Sequence, residues 1–279
     1  MPPSDVTVVI ATRNRWSDLE RTIPQHEAPV ILVDNGSSDG TPARVRQRFP
    51  GVHVVALPRN CGALARNIGV RLATTPYVAF ADDDSWWAPG ALERASQMLA
   101  NHPGLAVLAG SILVGEDESL DPVCDEMAHS PLPTRAGLPG PSVLGFLACG
   151  AVVRRDAFLA AGGFDEVIFF GGEEERLALD LASLGWELCY VPEVVAHHHP
   201  SPVRDPEARR RQQTRNQVLT TVLRRPWPVI AATTLAALRG GPAQRAGALA
   251  ALRRAPLALL RRRVIPRHIE WRRNLLDLS

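Results

Sequence analysis

Residues 77–87 read YVAFADDDSWW, an apolar run of five residues that ends in three consecutive aspartates. Short apolar runs of this kind are typical of buried strands. Similar runs occur at 6–11 (VTVVIA), 30–34 (VILVD) and 52–57 (VHVVAL), and Asp34 closes the second of them. Segments with helical patterns separate the runs. The alternation predicts an α/β fold, a mostly parallel sheet flanked by helices.

The same alternation continues along the chain, with one interruption. Residues 115–141 are acidic and then rich in Pro and Gly, which predicts a long loop, either a flap beside the substrate or a flexible insertion. The sequence predicts further strands over 77–81, 105–113 and 142–155, and strands or extended chain over 188–191 and 194–199. It predicts helices over 41–49, 62–73, 89–101, 157–162 and 173–185.

Charge is divided unevenly along the 279 residues, whose 46% hydrophobic content excludes a disordered chain. Residues 1–199 hold 14 Arg against 25 acidic residues, whereas residues 200–279 hold 17 Arg against 4. We therefore expect the C-terminal part to face an anionic partner or the acidic body itself. We predict a basic helix over 209–225 and two domains, residues 1–225 and an Arg-rich helical extension over 226–279.

The spacing of the cysteines and the length of the apolar runs indicate the cellular compartment in which the protein is expected. Four scattered cysteines have no C-x-x-C spacing of the kind that binds zinc or forms a redox pair, which favours a reducing cytoplasm. The longest late apolar run, 229–238, is well short of the roughly 20 residues that cross a bilayer. We expect a cytoplasmic protein without a signal peptide, at the inner face of the membrane if the basic helices lie on it.

The aspartates lie where a parallel sheet binds its ligands. Asp34 and Asp82–Asp84 end predicted strands, so four carboxylates are expected at one edge of the sheet. Adjacent carboxylates repel one another unless a cation or hydrogen-bond donors intervene, and hard oxygen ligands suit Mg²⁺ or Mn²⁺ bridging to a phosphate. The alternative is that these acids cap the helix after Pro89. The apolar strand before them and Trp86–Trp87 after them favour the metal site.

Two more clusters are candidates for chemistry. Glu173–Glu175 open a predicted helix, where the helix dipole favours acids for structural reasons alone. The preceding FFGG (169–172) favours one of them as a general base, because a glycine pair can deliver a carboxylate into a pocket. His197–His199 form the other cluster. In an extended chain only alternate side chains point the same way, and a run of packed or surface histidines is the alternative.

Taken in order, these segments resemble glycosyltransferase family 2, whose members have the GT-A nucleotide-sugar fold. The resemblance covers about residues 5–225. Each motif is weak singly, but the ordered set is specific. The motifs are VTVVIATRNR, ILVDNGSSDGT, NCGALARNIG, FADDDSWWAPG, ACGAVVRRDAF, GGFDE, FGGEEERLALDLASLGW and YVPEVVAHH.

The resemblance implies a role for each candidate residue. Those expected to bind the nucleotide sugar, with Asp34 on the base and Arg66 on the base or diphosphate, are Ala11, Thr12, Arg13, Asp34, Arg66, Asp82 and Asp83. Those expected to bind Mn²⁺ or Mg²⁺ are Asp82, Asp84 and His198, with His197 or His199 replacing His198 if the alignment slips by one residue. Glu174 is the expected catalytic base, with Glu173 as the alternative.

One departure from the family pattern concerns two charged positions. Many members have an acid two residues after the base and an Arg four residues further on, whereas this chain has Arg176 and Asp180. The two charges are exchanged. Since the residues are four apart on a helix, we predict that they form a structural ion pair.

The implied activity is inverting transfer of a sugar from a UDP- or dTDP-linked donor to a glycan, lipid-linked or small-molecule acceptor. The basic helices predict peripheral membrane contact, or they simply coat the fold. No nucleic-acid partner is expected, because residues 1–199 are acidic. The alternatives are a nucleotidyltransferase, for which ATRNRW lacks the expected glycine, and an inactive nucleotide-sugar-binding protein, against which the retained acids argue.

Overall fold

The computed structural model describes residues 5–200 and 205–278, and their centre is a nine-stranded mixed sheet flanked by helices. The predicted α/β class is therefore confirmed. The strands are β1 (Val6–Thr12), β2 (Val30–Asp34), β3 (His53–Ala56), β4 (Tyr77–Ala81), β5 (Ser85–Trp87), β6 (Leu105–Val114), β7 (Ser119–Leu120), β8 (Ala151–Arg154) and β9 (Glu187–His198).

The sheet has two parallel parts joined by an antiparallel strand. Its order is β3-β2-β1-β4-β8-β6-β9-β5, with β7 paired to β6. Strands β3, β2, β1 and β4 are mutually parallel, as are β6 and β9. Strand β8 is antiparallel to both β4 and β6, and β5 is antiparallel to the end of β9. The carboxyl ends of β1, β2 and β4 consequently meet at one edge.

Helices cover both faces of the sheet because alternate residues of its strands are apolar. In β1, Val9 packs with helices on one face of the sheet, and Val8 and Ile10 pack with helices on the other. The helices are α1 (Trp16–Thr22), α2 (Thr41–Arg48), α3 (Leu64–Leu72), α4 (Ala91–Asn101), α5 (Pro122–Ala128), α6 (Arg155–Ala160), α7 (Glu173–Ser183), α8 (Pro206–Arg224), α9 (Trp227–Arg239), α10 (Pro242–Leu252), α11 (Ala255–Leu260) and α12 (Arg267–Leu278).

The C-terminal helices form two smaller cores against the rest of the chain. Helices α8, α9, α10 and α11 bury apolar side chains together with Val167 and Ile168. Ile265 and Ile269, before and within α12, pack against Leu179 and Ala182 of α7. The predicted boundary between residues 225 and 226 stays a prediction, and helices on its C-terminal side contact α7 and α8.

Two local predictions were wrong. The predicted loop over 115–141 contains β7 and α5, because Asp121 caps α5 by accepting from the N–H of Val123 at 3.0 Å and Pro122 occupies the first turn. The predicted strand over 142–155 is a strand only from Ala151, because residues 148–150 form a 3₁₀ turn. That turn brings the backbone of Ala148 toward the start of α7.

The other differences are elements that sequence patterns did not indicate. Strand β5 follows the aspartates directly and pairs with the end of β9. Helix α12 lies within the extension that was predicted to be helical, but its own bounds were not predicted. In the described part of the chain, no helix combines the length and apolar character needed to span a membrane.

Candidate active site

The register of the sheet brings the predicted acidic residues to one edge. Thr12 at the end of β1 is the pairing partner of Asp34 at the end of β2, and Ile10 is the partner of Ala81, which precedes the three aspartates. Asp34 and Asp82 therefore leave the sheet in the same direction from strands on either side of β1. The expected convergence of carboxylates at this edge is present.

A cluster of three candidate metal ligands forms where β5 meets β9. Ser85 pairs with His198, and the backbone N–H of His199 donates to the carbonyl of Asp84 at 2.9 Å. One ligand atom from each of Asp82, Asp84 and His198 lies within 4.8 Å of the others. His198 Nε2 is 3.3 Å from Asp84 Oδ1. Two carboxylates and an imidazole form a donor set that fits Mn²⁺ or Mg²⁺.

The alternation of β9 separates His198 from its neighbours. The ring of His197 stacks on Trp86 with centroids 5.2 Å apart, and the ring of His199 lies tilted against the same indole at 4.8 Å. His198 instead faces the aspartates. The choice among the three histidines that the sequence left open is thus resolved by geometry in favour of His198 as the residue beside the acids.

Asp83 turns toward β1. Thr12 Oγ1 donates to Asp83 Oδ2 at 2.9 Å, and Thr22 Oγ1 donates to the backbone carbonyl of Asp83 at 2.9 Å. Burial raises the pKa of Asp83 to about 7, and the charges of Asp82 and Asp84 add to the increase. The middle aspartate therefore connects the acidic run to β1.

The residues expected to line the nucleotide lie on the loops after β1 and β2. Asp34 is 1% exposed, and its carboxylate accepts hydrogen bonds from the N–H (2.9 Å) and the hydroxyl of Ser37. Ala11 is partly exposed at the end of β1 and Arg13 is exposed. Asn14 ties the two loops together, since its Oδ1 accepts from the N–H of Ser38 at 2.9 Å. Both loops border the edge that carries the aspartates.

Arg66 lies between the aspartates and the glutamates. It is 3% exposed, and its guanidinium donates to Asp82 Oδ1 at 2.5 Å and to Glu173 Oε1 at 3.2 Å. The same group lies 5.9 Å from the ring centroid of Phe164. Its predicted role on the base or diphosphate stays a prediction. What the structure adds is a buried ionic bridge from β4 to α7, which motif spacing did not indicate.

The three glutamates at the start of α7 have three different environments. Glu173 is 1% exposed and contacts Arg66. Glu174 is partly exposed, and its Oε1 accepts from the backbone N–H of Ala148 at 3.3 Å. Glu175 accepts from Arg273 Nε at 2.9 Å. Glu174 is therefore the one of the three whose carboxylate forms no ion pair with an arginine among the described residues.

Burial and neighbouring charge shape the pKa values around Glu174. Burial raises the pKa of Glu174, and the charge of Glu173 raises it further. Burial also raises the pKa of the Cys149 thiol well above its usual range, with added contributions from Asp82, Glu174 and Asp84. All three carboxylates are thus close enough to one buried thiol to act on it electrostatically. The base candidate and the metal-ligand candidates thus contribute to the electrostatic environment of the same buried residue.

The backbone before α7 is held in an unusual conformation by α8. Phe169, Gly171 and Gly172 have φ values of 72°, 82° and 89°, in the left-handed region. Asn216 of α8 donates to the carbonyl of Phe170 at 2.7 Å, and Gln212 donates to the same oxygen at 2.6 Å. These contacts fix where α7 begins and therefore where Glu174 lies.

Supporting residues on the other side of the site were also missed from sequence. Asn35 donates to the carbonyl of Gly62 at 3.0 Å and accepts from the N–H of Cys61 at 3.0 Å. A Cβ on Gly62 would lie 2.1 Å from the carbonyl oxygen of Phe169, so only glycine fits there. The signal available in the sequence was the asparagine directly after Asp34. Its partners, however, are 26 and 27 residues away.

The exchanged charges on α7 form the predicted ion pair. Arg176 donates to Asp180 Oδ2 at 2.5 Å, and Arg224 of α8 contacts the same carboxylate, at 2.9 Å through Nη2. Both arginines are buried. The prediction of a structural pair is confirmed, and Arg224 is an additional member.

Comparison with known proteins identifies the family. A family model described as Glycosyl transferase family 2 matches residues 7–160, more than half of the chain. The chain belongs to glycosyltransferase family 2. The sheet edge that carries Asp34 and the aspartate run lies inside the matched range, whereas Glu174 and His198 lie beyond it.

Two relatives from Mycobacterium tuberculosis match most of this family 2 chain. A pre-mycofactocin glycosyltransferase is 35% identical over 226 residues, covering 75% of this chain and 47% of that protein, so the chain spans about half the length of that relative. An N-acetylglucosaminyl-diphospho-decaprenol L-rhamnosyltransferase is 30% identical over 248 residues, covering 73% of this chain and 80% of that protein.

Solved structures confirm the GT-A type fold of this glycosyltransferase family 2 member. The mannosyltransferase PcManGT from Pyrobaculum calidifontis, in complex with GDP-Man and Mn²⁺, aligns with a TM-score of 0.59 at 24% identity over 98% of this chain and 84% of that chain. S. aureus TarS 1–349 in complex with UDP-GlcNAc aligns with a TM-score of 0.62 at 14% identity over 98% and 88%. At these identities the likeness concerns the fold.

Proposed function

We propose that this chain is an inverting, metal-dependent glycosyltransferase that moves a sugar from a nucleoside-diphosphate sugar to an acceptor hydroxyl. The observation that carries the proposal is the grouping of Asp82, Asp84 and His198, joined through buried Arg66 to the helix turn that presents Glu174. A cation site next to a partly exposed carboxylate matches what such a transfer requires. Membership of glycosyltransferase family 2 supports it.

Glu174 is the proposed general base. As the acceptor oxygen forms its bond to the anomeric carbon, the bond from that carbon to the diphosphate breaks on the opposite face, and the hydroxyl proton passes to the Glu174 carboxylate. The N–H of Ala148, 3.3 Å from Oε1, orients the carboxylate. Glu173 is less suited, because it is 1% exposed and paired with Arg66.

Asp82, Asp84 and His198 are the residues that would hold the divalent cation. A bound Mn²⁺ or Mg²⁺ supplies positive charge to the departing diphosphate. The chemistry of the donor set fits such an ion, since two carboxylates and an imidazole lie within 4.8 Å of one another. PcManGT, whose fold is similar, was solved with Mn²⁺.

The proposed donor is a UDP- or dTDP-linked sugar. Asp34 on the base and Arg66 on the base or diphosphate are its proposed principal contacts. The rest of its proposed site comprises Ala11, Thr12, Arg13, Asp82 and Asp83, on or after β1 and β4. The TarS structure contains UDP-GlcNAc, which supports a uridine nucleotide. The proposed acceptor is a glycan, a lipid-linked molecule or a small molecule, and the name of the decaprenol-linked relative supports a lipid-linked one.

The basic extension is proposed to contact the inner face of a membrane. From Pro226 to Ile269 the chain contains eight arginines and no acidic residue. We call residues 226–269 the acid-free segment. Exposed apolar side chains on it include Trp227, Leu249 and Leu260, the last 85% exposed. Basic helices with exposed leucine and tryptophan suit an anionic lipid surface. The four free cysteines suit the reducing cytoplasmic side.

The experiment that tests the transfer proposal begins with binding. The full chain is heated with a panel of nucleoside diphosphates, with Mn²⁺, with Mg²⁺ or with EDTA, and the melting temperature is recorded. We expect a matching nucleotide at 100 times its Kd, with metal, to raise the melting temperature by about 5 °C or more. EDTA should remove the increase. The best nucleotide then selects the sugar donors for transfer assays.

Asp84→Ala is the decisive variant in that assay. Because Asp84 is buried beside His198, its loss should reduce the metal-dependent melting shift to less than about 1 °C and lower metal-dependent transfer at least ~100-fold. Asp125→Ala, on an exposed side chain of α5, is the matched control and should behave as the unaltered chain. Full metal-dependent transfer by Asp84→Ala would count against the proposal.

A further inference from the structure

Glu173 occupies a position that general-base chemistry does not explain. It is the first residue of α7 and is 1% exposed, so an acceptor hydroxyl has no access to it. Its Oε1 accepts from Arg66, and its Oε2 is buried without a hydrogen-bond partner among the described residues. A buried carboxylate in the first turn of the base helix, directed away from solvent, requires a different role.

The contacts of Arg66 supply that role. Arg66 has two ionic partners among the described residues, and their exposures differ: the Glu173 side chain is 1% exposed and the Asp82 side chain is 32% exposed. The arginine side chain itself is 4% exposed. The three side chains therefore form a series of two ion pairs, which runs from buried Glu173, through Arg66, to Asp82 at the open edge of the sheet.

We propose that Glu173 is a positioning residue that acts through Arg66 to keep Asp82 available to a divalent cation. The inference rests on the proposed function, since it takes Asp82 as a metal ligand. Glu173 neutralises the guanidinium from the interior side. Arg66 is thereby shared between two carboxylates, and the Asp82 carboxylate retains negative charge for a cation on its exposed side.

The sign of the effect follows from the charges. Glu173, Arg66 and Asp82 together carry one net negative charge. Glu173→Gln makes the group neutral and leaves Arg66 with Asp82 as its remaining ionic partner among them. Asp82 is then held more tightly by the guanidinium and attracts a cation less strongly. We expect the affinity of the full chain for Mn²⁺ to fall about tenfold.

The experiment measures Mn²⁺ binding directly, without nucleotide or turnover, by electron paramagnetic resonance of free Mn²⁺ in titrations of the full chain. Glu175→Gln is the matched control, because it removes one charge from the same helix turn. In the unaltered chain the Glu175 carboxylate pairs with Arg273, which is not part of the series of ion pairs through Arg66. We expect Glu173→Gln to weaken binding about tenfold and Glu175→Gln to change it less than twofold. Equal weakening by both variants would overturn the proposal.

A second pair of variants tests the route and does not depend on the stability of Glu173→Gln alone. Adding Glu173→Gln to an Arg66→Gln variant replaces both members of the buried Arg66–Glu173 ion pair with neutral amides. If Glu173 acts through Arg66, its replacement in that background should change the Mn²⁺ affinity less than twofold. A tenfold loss that persists without Arg66 would mean that Glu173 acts directly through space, and the proposal would be wrong.

Turnover separates this inference from the proposed function. At Mn²⁺ concentrations that saturate each variant, Glu173→Gln should transfer sugar with a kcat within about threefold of the unaltered chain, as expected if Glu174 is the base. A kcat loss of ~100-fold at saturation would assign the base to Glu173 and overturn the positioning role. An unaltered chain that binds no Mn²⁺ would overturn the proposed function as well.

Discussion

At the start of α7, adjacent glutamates face different surroundings. Glu173 points inward to Arg66, whereas Glu174 is partly exposed and accepts from the N–H of Ala148. Successive residues of a helix point about 100° apart around its axis. A shift of one position along α7 therefore changes which carboxylate faces the open side of the helix. The sequence reduced the base to these two glutamates. The proposal of Glu174 as the base rests on the pairing of Glu173 with Arg66.

The activity should depend on pH through Glu174. Burial and the charge of Glu173 raise its pKa, so the protonated form, which cannot accept a proton, persists to higher pH than the ordinary glutamate value of about 4.3. We therefore expect kcat to rise with pH along an acid limb that lies well above 4.3. Glu174→Gln should lower kcat about 10²- to 10⁴-fold and remove that limb.

Nucleotide affinity provides the control for this experiment. Glu174→Gln keeps the shape of the side chain, so its Kd for nucleoside diphosphate with Mn²⁺, measured calorimetrically, should stay within about twofold of the unaltered chain. The assignment of Glu174 is wrong if the variant keeps a normal kcat, or if the acid limb of the unaltered chain lies at the ordinary glutamate value.

Some candidate site residues were predictable because their sequence signal lies at the end of one strand. Asp82–Asp84 follow an apolar run directly, and the period of two along β9 limited which histidines could share a face. Asn35, Gly62 and the N–H of Ala148 were not predictable. Their partners lie 26 or more residues away, so their roles depend on how loops pack and not on a motif.

At the scale of elements, a small ionic network joins α7 to α8. Asp180 contacts Arg176 on its own helix and Arg224 on the next, and the side chains of the two arginines are 4% and 7% exposed. The spacing of four residues predicted the first contact. The second involves a residue 44 positions away, which helical periodicity does not reach.

Asp180→Ala should destabilise the protein strongly. The substitution leaves two buried guanidinium groups without this carboxylate, and breaking a buried pair typically costs about 3–5 kcal/mol. We expect a loss of that size in the free energy of unfolding, measured by urea denaturation. Asp18→Ala removes a partner from Arg21, whose side chain is 55% exposed, and should cost at most about 1 kcal/mol. Similar losses for both variants would contradict the role assigned to the network.

The elements themselves were predicted with uneven success, for physical reasons. Buried strands such as β4 and helices after glycine pairs such as α7 carry strong local signals. Residues 142–150 are apolar and resemble a strand, but Val143, Leu144 and Phe146 are buried by packing under neighbouring elements. Strand β5 has three residues and pairs with β9, which is distant along the chain. A short strand that pairs with a distant segment of the chain has no periodic pattern in its own sequence from which it could be predicted.

At the scale of the whole molecule, only some of the C-terminal arginines form ion pairs with acidic residues of the fold. Arg224 and Arg273 from the C-terminal part pair with Asp180 and Glu175 of α7, as expected if basic helices coat an acidic body. The acid-free segment differs. Within the described residues, its exposed arginines 239, 245, 253, 263 and 267 form no ion pair. These charges remain available to an external anionic surface.

Membrane contact through the acid-free segment predicts a specific dependence on lipid charge. We expect the full chain to co-sediment with vesicles containing 30% phosphatidylglycerol and to remain in the supernatant with pure phosphatidylcholine. Higher salt should weaken the binding, because added salt shortens the Debye length below its value of about 8 Å at physiological ionic strength.

Each arginine near an anionic surface contributes about 1 kcal/mol, so replacing Arg253 and Arg263 with Gln should weaken binding about 30-fold. Replacing Arg46 and Arg94, exposed on α2 and α4, removes the same charge elsewhere and should have little effect. If both pairs weaken binding equally, the attraction comes from net charge, and the acid-free segment is a coat on the fold and not a membrane-binding surface.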